Sequence, residues 1–377
     1  MFKTSIKLVR VKILIVGLFS PVINWCGGAE WVAVNIITAL KENGHQVVVL
    51  TDKPLNQKKF VHVFNRKVMA DKQIIFPFRF FSPSNYHNIY TDAIRCLLLK
   101  SKCEVLIDTF SNALLPGMDV VYIHHPLLRK VQQESPYWRN RVYFFPYKNL
   151  LNHNRTKVNK KLIFANSKFT AEAIKVETGF SSRILYPSVS NEILHFNEND
   201  LDRQRDNNVI TIARISKGKN LELIPQIAKL SGKDISFTIV GLLDDPYLLD
   251  SLEKQISKLK VNDKVRILPN VDRERLRQML LDSKIYLHPK KNEHFGISIV
   301  EGMAAGCIPI VHNSGGPKEF VSINQRFNSV CEAADIIERI IDEWSPIQSR
   351  EVSMRTEKFG ENSFSKQFIK SFDLWFN

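Results

Sequence analysis

The stretch KIYLHPKKNEHFGISIVEGMAAGCIPIVHNSGGPKEF, residues 284–320, indicates the fold more clearly than any other part of the chain. It opens with the apolar and aromatic pattern of a β-strand, and the strand is predicted to end at a loop holding Glu293. Residues 295–297 follow, and a helix carrying Glu301 in its first turns is predicted to begin there. The amino end of a helix presents free backbone N–H groups and a positive dipole, so this strand, loop and helix predict a diphosphate site.

Two carboxylates in this stretch are candidates for contacting a sugar. Glu293 and Glu301 are eight positions apart, about two helical turns, so both can face one cleft. Carboxylates accept hydrogen bonds from hexose and ribose hydroxyls, and Gly296 allows the backbone to approach a ligand closely. A solvated helix face would show the same spacing, but the glycine-rich surroundings favour the functional interpretation.

Outward from this stretch, strands and helices alternate along the whole chain, which predicts parallel sheets with helical crossovers. The first series of predicted strands lies at residues 11–19, 46–51, 103–109 and 120–125. The second series lies at residues 209–214, 236–241, 265–270, 284–289 and 308–313. Helical patterns are clearest at residues 29–40, 220–230, 248–259, 273–282 and 297–305. We therefore predict an α/β protein with two Rossmann-like halves.

The predicted halves are separated by a polar stretch at residues 191–208. We assign residues 1–190 to an N-terminal domain and residues 191–354 to a C-terminal domain. Residues 355–377 carry aromatic side chains at helical spacing and no strand follows them. A terminal amphipathic helix must bury its apolar face, and we expect it to return to the N-terminal domain.

The composition describes an ordinary globular chain with a basic charge. Of 377 residues, 44% are hydrophobic and 24% are charged, and the formal net charge of +15 favours an anionic partner. The five cysteines have no zinc-like spacing, and we interpret them as reduced thiols of an intracellular protein. The apolar run after the basic N-terminus is only about nine residues, shorter than the ~20 of a spanning helix, and is interpreted as a buried strand.

Two stretches combine aromatic and basic side chains, at residues 74–81 and 136–148. Aromatic bodies beside cations suit the interface of an anionic membrane. Loops whose aromatic side chains pack onto the domain core would have the same composition. Both interpretations stay open at this point.

A basic pair follows the first strand of the second half. Arg214 and Lys219 could neutralise the negative charge of a diphosphate, as a bound metal ion can. A pair of cations in a loop is more commonly a solvated surface feature, but its position directly after a strand favours a site. The DxD spacing typical of metal-dependent transferases occurs at residues 200–202, in the polar stretch, where we interpret it as part of a linker. No essential metal or other cofactor is predicted.

The order and spacing of these motifs resemble the large family-four, group 1 glycosyltransferases. The resemblance rests on Glu293 and Glu301 at Glu-x7-Glu spacing, on the small residues and the Gly315-Gly316-Pro317 segment after them, and on residues 209–223 and 27–51. It covers most of the chain. The resemblance implies a GT-B fold, in which two Rossmann-like domains face each other across a cleft, residues 1–190 binding the acceptor and residues 191–354 binding a nucleotide sugar. It also implies a retaining mechanism without a covalent intermediate or metal.

The resemblance also implies roles for individual residues. Catalytic roles fall to His124, Arg214, Lys219 and Glu293, and donor contacts to Gly27, Gly28, Arg214, Lys219, Glu293, Phe295, Gly296, Ile297 and Glu301. The basic pair would grip the diphosphate, Glu293 and His124 would orient the hexose, and Glu301 would hold the ribose. His125 is the weaker match beside His124, and Glu30 is interpreted as a first-turn helix residue stabilised by the helix dipole.

Within the family, residues 287–318 are similar to the dolichol-pathway branch that transfers mannose from GDP-mannose to a lipid-linked oligosaccharide. This resemblance implies a hexosyltransferase with a nucleotide-sugar donor, a glycan or lipid-phosphate acceptor, peripheral association with the cytoplasmic face of a membrane and no nucleic-acid partner. A UDP-sugar-dependent transferase of cell-surface polysaccharides, a sugar-nucleotide epimerase and a non-catalytic anion-binding protein stay open as alternatives.

Overall fold

The computed structural model describes residues 12–78, 80–82, 86–128, 138–153, 155–190, 196, 198–232 and 234–376. The chain divides into two compact units. The first comprises Met1–Phe164 with Phe368–Asn377, and the second comprises Ala165–Gln367. Internal packing defines these units, and the domain ends given above at residues 190 and 354 stay predictions.

A seven-stranded sheet, counted within the described residues, has strand order β3-β2-β1-β4-β5-β6-β7, and its first five strands along the chain lie in the first unit. Strand β6 ends at the boundary between the units, and β7 belongs to the second unit. Strands β1 to β5 pair in parallel. The strands are β1 (Ile15–Phe19), β2 (Gln46–Thr51), β3 (Lys72–Ile75), β4 (Val105–Asp108), β5 (Val120–Ile123), β6 (Leu162–Ala165) and β7 (Arg183–Ile184). The helices before β7 are α1 (Gly28–Glu42), α2 (Gln57–Phe64), α3 (Ile89–Lys100), α4 (Trp138–Tyr143), α5 (Phe145–His153), α6 (Arg155–Val158) and α7 (Lys168–Thr178).

The second unit carries a six-stranded sheet, again within the described residues, with strand order β10-β9-β8-β11-β12-β13 and parallel pairing throughout. The strands are β8 (Asp206–Ile212), β9 (Ser236–Gly241), β10 (Val265–Pro269), β11 (Ser283–His288), β12 (Ile308–His312) and β13 (Arg326–Phe327). The helices are α8 (Glu198–Asp202), α9 (Leu223–Leu230), α10 (Pro246–Leu259), α11 (Arg273–Asp282), α12 (Ile297–Ala304), α13 (Val330–Glu343) and α14 (Pro346–Met354).

The C-terminal helix α15 (Glu361–Phe376) ends the chain, and its last residues belong to the first unit. Phe368 and Phe372 are fully buried there. The Phe368 ring lies 5.9 Å from that of Phe164, and the Phe372 ring lies 5.8 Å from that of His45. The prediction that the terminal aromatic residues return to the N-terminal domain is confirmed.

Each sheet reverses its strand order beside its first strand, next to β1 in the first unit and next to β8 in the second. Helices that cross on opposite faces leave a crevice outside the carboxyl ends of the strands at such a switch point, and α/β proteins bind ligands there. In the second unit this point lies between β8 and β11. These two strands lead into the loops that carry Arg214 and Glu293.

Most of the predicted strands are found within a few residues of their predicted limits. β2, β9 and α11 have the predicted limits, whereas β3, β6, β7 and β13 were not predicted. These short strands lie toward the sheet edges, where few residues carry the alternating pattern. Predictions made for residues 1–11, 79, 136–137, 191–195 and 197 lie outside the described residues. Across the part of the chain that the structure describes, no helix has both the length and the apolar character required to cross a bilayer.

Candidate functional site

Three nitrogen atoms converge on one carboxylate oxygen at the carboxyl end of β11. The Oε2 atom of Glu293 lies 3.1 Å from Nζ of Lys290, 3.3 Å from Nε2 of His288 and 3.8 Å from Nζ of Lys219. The other oxygen, Oε1, accepts a 3.0 Å hydrogen bond from the backbone of His294. We call Lys219, His288, Lys290 and Glu293 the Glu293 cluster.

The cluster keeps Glu293 ionised. Burial alone would raise the pKa of its carboxyl group, but the hydrogen bond from His288 and the charges of Lys290 and Lys219 hold that pKa well below its usual value. Burial lowers the pKa of His288, and its Nδ1 atom is buried without a partner among the described residues. A neutral His288 therefore carries its proton on Nε2, from which it donates to Glu293.

Burial also lowers the pKa of Lys219. The Glu293 carboxylate opposes this effect, and the nearby charges of Lys290 and Arg214 add to the lowering. The side chain is 30% exposed, so its ammonium group is reachable from solvent. With both of its lysines charged, the cluster holds more positive than negative charge, an arrangement suited to an anionic ligand.

The loop after β8 brings Lys219 to the cluster by means of two left-handed residues. Gly218 has φ +83° and Asn220 has φ +55°, a region that only glycine and asparagine enter readily. The side-chain oxygen of Asn220 accepts a 3.2 Å hydrogen bond from the backbone of Lys291. This bond joins the lysine loop to the loop of Glu293. Sequence reasoning missed Asn220.

Arg214 is held by the backbone around it. A Cβ atom on Gly241, at the end of β9, would lie 1.8 Å from the carbonyl oxygen of Ala213, so only glycine permits the chain to cross there. The amide of Ile215 donates to the carbonyl of Leu242 at 2.9 Å. Arg214 is exposed, and its charge acts on Lys219. Both predicted cations therefore lie in the loop after β8, at the switch point, and a common role for them stays a prediction.

The Gly315-Gly316 pair supports the Glu293 loop. A Cβ atom on Gly315, which has φ +81°, would lie 2.2 Å from the carbonyl oxygen of Glu293. A Cβ atom on Gly316 would lie 2.0 Å from the carbonyl oxygen of His294, and the Gly316 amide donates to the Glu293 carbonyl at 2.8 Å. These glycines let two backbones touch, and that contact sets the position of Glu293.

Helix α12 begins beside this loop with its amino end uncapped. Gly296 precedes it at φ +89°, no side chain caps the helix, and its first turn holds no acidic residue. The ring of Phe295 is buried among Tyr186, Phe320 and Phe359, so only its backbone could meet a donor. Ile297 opens the helix and packs against the same aromatic cluster. The uncapped N–H groups complement the cations of the Glu293 cluster.

Glu301 lies further along α12 and is partly buried. Burial raises the pKa of its carboxyl group, which Arg273 partly offsets. On the same helix, a Cβ atom at Gly302 would lie 2.4 Å from the ring of Tyr286, so this glycine lets α12 pack closely on β11. The hydroxyl of Tyr286 donates to the Ile212 carbonyl at 3.1 Å and so links β11 to β8.

Gly27 and Gly28 lie in the first unit, at the start of α1. The Gly27 amide donates to Oε2 of Glu30 at 2.8 Å, so this helix end has an internal carboxylate. The interpretation of Glu30 as a first-turn residue agrees with this contact. Donor contacts from Gly27 and Gly28 stay predictions.

His124 and His125 follow β5 in the first unit, and the backbone amides of both are hydrogen-bonded to one asparagine side chain. The Asn112 side-chain oxygen accepts hydrogen bonds from the backbone of His124 at 2.7 Å and of His125 at 3.1 Å. The His124 Nε2 atom lies 3.2 Å from the carbonyl oxygen of Thr109, and its ring lies 4.9 Å from that of Tyr122. The role of His124 stays a prediction.

The Asp200-Leu201-Asp202 segment lies in α8 and is engaged in ion pairs. Asp200 pairs with Arg277 at 3.3 Å and Asp202 with Arg350 at 3.1 Å. Within the residues that the structure describes, no group of three or more histidine, cysteine, aspartate or glutamate side chains is arranged to hold a metal ion.

Of the predicted site residues, Arg214, Lys219, Glu293, Phe295, Gly296, Ile297 and Glu301 lie in the second unit, whereas Gly27, Gly28 and His124 lie in the first. Direct contact joins Lys219 to Glu293. Sequence reasoning missed His288 and Lys290 as partners of Glu293. Lys290 could have been found from its i, i+3 spacing to Glu293. His288 left no such signal, because a histidine that ends a buried strand is usually a core residue.

This chain is similar to known proteins in sequence and in fold. Residues 195–362 match the family model described as "Glycosyl transferases group 1". A protein of Dictyostelium discoideum named GDP-Man:Man(3)GlcNAc(2)-PP-Dol alpha-1,2-mannosyltransferase is 29% identical over 234 residues, covering 56% of this chain and 46% of that protein. The Candida albicans protein of the same name is 24% identical over 371 residues, covering 81% of this chain and 61% of that protein. The chain thus spans between 46% and 61% of the length of these relatives.

Among solved structures, Anabaena Alr3699/HepE in complex with UDP and glucose is similar with a TM-score of 0.69 at 14% identity, covering 96% of this chain and 99% of that one. A likeness at this identity concerns the fold, and the predicted α/β fold with paired parallel sheets of the GT-B type is confirmed. The family match over residues 195–362 and these relatives make this chain similar to the group 1 glycosyltransferases, as its sequence predicted.

Proposed function

We propose that this chain transfers a mannosyl residue from GDP-mannose to a lipid-linked glycan, with retention of configuration at the anomeric carbon, in the manner of family-four enzymes. Two observations support the donor and acceptor classes. The relatives are named as GDP-Man-dependent mannosyltransferases acting on a dolichol-linked glycan. The candidate site combines cations and an uncapped helix end beside an ionised carboxylate.

The Glu293 cluster is the observation that carries this proposal. Its lysines and the amino end of α12 offer positive charge and N–H donors to a diphosphate. Glu293, kept ionised by its neighbours, offers an acceptor for hexose hydroxyls. A purely structural ion pair would not require an uncapped helix end beside it.

In the proposed mechanism, Arg214 and Lys219 stabilise the diphosphate as it leaves the anomeric carbon. The acceptor hydroxyl attacks from the side that the diphosphate vacates, and its proton passes to a phosphate oxygen. Glu293 orients the hexose and Glu301 holds the ribose of the nucleotide. The positive charge that a metal ion would otherwise supply comes from these side chains, so we expect turnover to need no metal.

The acceptor part of the proposal places the protein at the cytoplasmic face of a membrane as a peripheral protein. A lipid-linked glycan is confined to the bilayer, so the enzyme must work at that surface. The net charge of +15 favours association with anionic headgroups. We propose no nucleic-acid partner.

A donor screen tests the proposal. Purified protein is titrated with GDP-mannose, GDP, UDP-glucose and UDP-N-acetylglucosamine, and then incubated with the tightest-binding sugar nucleotide and a short-chain lipid-diphosphate glycan. We expect GDP-mannose to bind best, and the product to carry a new α-linked mannose identified by mass spectrometry and NMR, with turnover unchanged by EDTA. A UDP-sugar as the better donor would contradict the donor assignment, and a β-linked product would contradict retention of configuration. Activity that EDTA abolishes and manganese restores would contradict the expectation that no metal is needed.

A further inference from the structure

His87 joins the two aromatic and basic stretches of the first unit. Its ring lies 5.6 Å from that of Phe81 and 4.6 Å from that of Tyr143, and its Nε2 atom lies 3.2 Å from the side-chain oxygen of Asn140. The hydroxyl of Tyr143 donates to the His87 carbonyl at 2.5 Å. The segment after β3 and helix α4 are therefore parts of one surface, although about sixty residues of sequence separate them.

Helices α4 and α5, with Phe144 between them, have one buried apolar face and one exposed apolar face. Phe144, Tyr147 and Leu151 are buried. Trp138, Val142 and Phe145 are 69%, 63% and 60% exposed. These outward residues recur at helical spacing on the face opposite the buried one. The buried face already anchors the helices, so the outward apolar stripe is not needed for folding.

The segment after β3 adds aromatic side chains to this stripe. Phe78, Phe80 and Phe81 are 48%, 71% and 44% exposed, and the rings of Phe78 and Phe80 meet edge to face with centroids 5.1 Å apart. The aromatic surface is defined here as Phe78, Phe80, Phe81, Trp138, Val142 and Phe145. Clustered exposed apolar side chains of this kind mark an interaction site rather than ordinary surface.

The charge around the aromatic surface is positive. Arg139, Arg141 and Lys148 are exposed on α4 and α5. Residues 135–171 contain no aspartate or glutamate, and neither do residues 72–91. Cations among exposed aromatic rings match the interface of an anionic bilayer, where the rings enter the headgroup region and the cations meet phosphate.

We propose that the aromatic surface docks the first unit onto an anionic phospholipid bilayer, with Trp138 and Phe145 entering the headgroup region and Arg139 and Arg141 contacting lipid phosphate. The proposal names the membrane contact of the enzyme and rests on the proposed function for its purpose, which is to hold the protein where a lipid-linked acceptor resides. The aromatic residues set the depth of binding and the arginines set the preference for anionic lipid.

Vesicle flotation tests this docking. The full chain is mixed with vesicles of phosphatidylcholine alone or of phosphatidylcholine with phosphatidylglycerol. We expect wild-type protein to float with the anionic vesicles and to remain largely unbound with the neutral ones. The double variant Trp138→Ser, Phe145→Ser should bind anionic vesicles about tenfold more weakly or worse, because two large apolar side chains no longer leave water. Arg139→Ser with Arg141→Ser should remove most of the preference for anionic vesicles.

Ile323→Ser with Ile347→Ser is the matched control, because both side chains are exposed apolar residues of the second unit, 77% and 60% accessible. We expect it to float like wild type. Quenching of tryptophan fluorescence by brominated phospholipid gives a second measurement, and it requires only a conservative substitution. Quenching should be present in wild type and largely lost in Trp138→Phe.

Equal flotation of wild type and the aromatic double variant, or no binding of wild type to either vesicle, would overturn the proposal. A change from dimer to monomer in the aromatic variant without lipid would overturn it too, since the surface would then hold a second copy of the chain. GDP-mannose binding, measured on the same samples without vesicles, separates the two proposals: its absence in wild type would refute the donor assignment and leave the flotation result standing.

Discussion

Two helices in this protein follow a strand and a glycine-containing turn, yet their amino ends differ in charge. Helix α1 of the first unit has its own acceptor, because Glu30 accepts from the Gly27 amide. Helix α12 of the second unit has no side-chain cap and no acidic residue in its first turn, and the lysines of the Glu293 cluster lie nearby. The same local pattern thus makes a closed helix end with its own acceptor in one unit and an open, uncapped end, which we propose as the anion site, in the other.

The largest effect expected from this comparison is on turnover. Lys219→Ala removes a cation aimed at the diphosphate, and we expect kcat to fall about 10²–10³-fold, as when one preorganised transition-state donor is removed. Lys217→Ala, an exposed neighbour in the same loop, should keep kcat within about twofold of wild type. Steady-state kinetics with GDP-mannose check both. Similar rates for the two variants would remove Lys219 from the mechanism.

The backbone contact beneath Glu293 should show in stability. Gly315→Ala places a methyl group 2.2 Å from the Glu293 carbonyl at a φ of +81°, and we expect a loss of about 2–4 kcal/mol in the free energy of unfolding. Gly44→Ala is the control, because φ is +82° there and nothing lies within 4 Å of the new methyl group, so only about 1 kcal/mol should be lost. Urea titrations measure both, and equal losses would show that the close contact does not matter.

The lowered pKa of Lys219 predicts a pH dependence of donor binding. Its causes are burial and then the charges of Lys290 and Arg214, against the opposing effect of Glu293. Below this lowered pKa the side chain is charged and contributes fully to binding a diphosphate. Above it, and below the higher pKa that a bound diphosphate would give the same side chain, binding must take up a proton, so GDP affinity should fall about tenfold per pH unit.

Calorimetric titration of GDP across the alkaline range measures this slope. Lys219→Arg stays charged throughout and should lose most of the dependence. The same slope in wild type and Lys219→Arg would assign the titration to another group.

The smallest effect is expected at the closed helix end. Glu30→Gln weakens the hydrogen bond to the Gly27 amide and removes the favourable interaction with the helix dipole, so we expect a loss of about 1 kcal/mol in stability. Glu42→Gln, at the other end of α1, should not destabilise the helix, because a negative charge there is unfavourable. Thermal unfolding of both variants measures the difference. A loss of turnover without a loss of stability in Glu30→Gln would give Glu30 a role in the reaction instead.

The sequence predicted the main strands, the switch from the β11 strand to the α12 helix, and Lys219 with Glu293 as site residues. Periodicity and glycine positions carry that information locally. The sequence could not predict that His288, Lys290 and Lys219 would each place a nitrogen atom near one oxygen of Glu293. The position of Lys219 depends on the left-handed backbone at Asn220, which the sequence pattern did not indicate. The sequence indicated Glu30 as a first-turn residue, but it could not show that this side chain accepts a hydrogen bond from the Gly27 amide, the contact that makes the two helix ends different.

The central claim is that the Glu293 cluster and the open end of α12 bind the donor diphosphate, whereas the closed end of α1 does not. Calorimetric titration of GDP into wild type, Lys219→Ala and Glu30→Gln at neutral pH tests it most directly. We predict that Lys219→Ala binds GDP at least about tenfold more weakly and that Glu30→Gln binds it like wild type. Wild-type affinity in Lys219→Ala, with weakened binding in Glu30→Gln, would contradict the account.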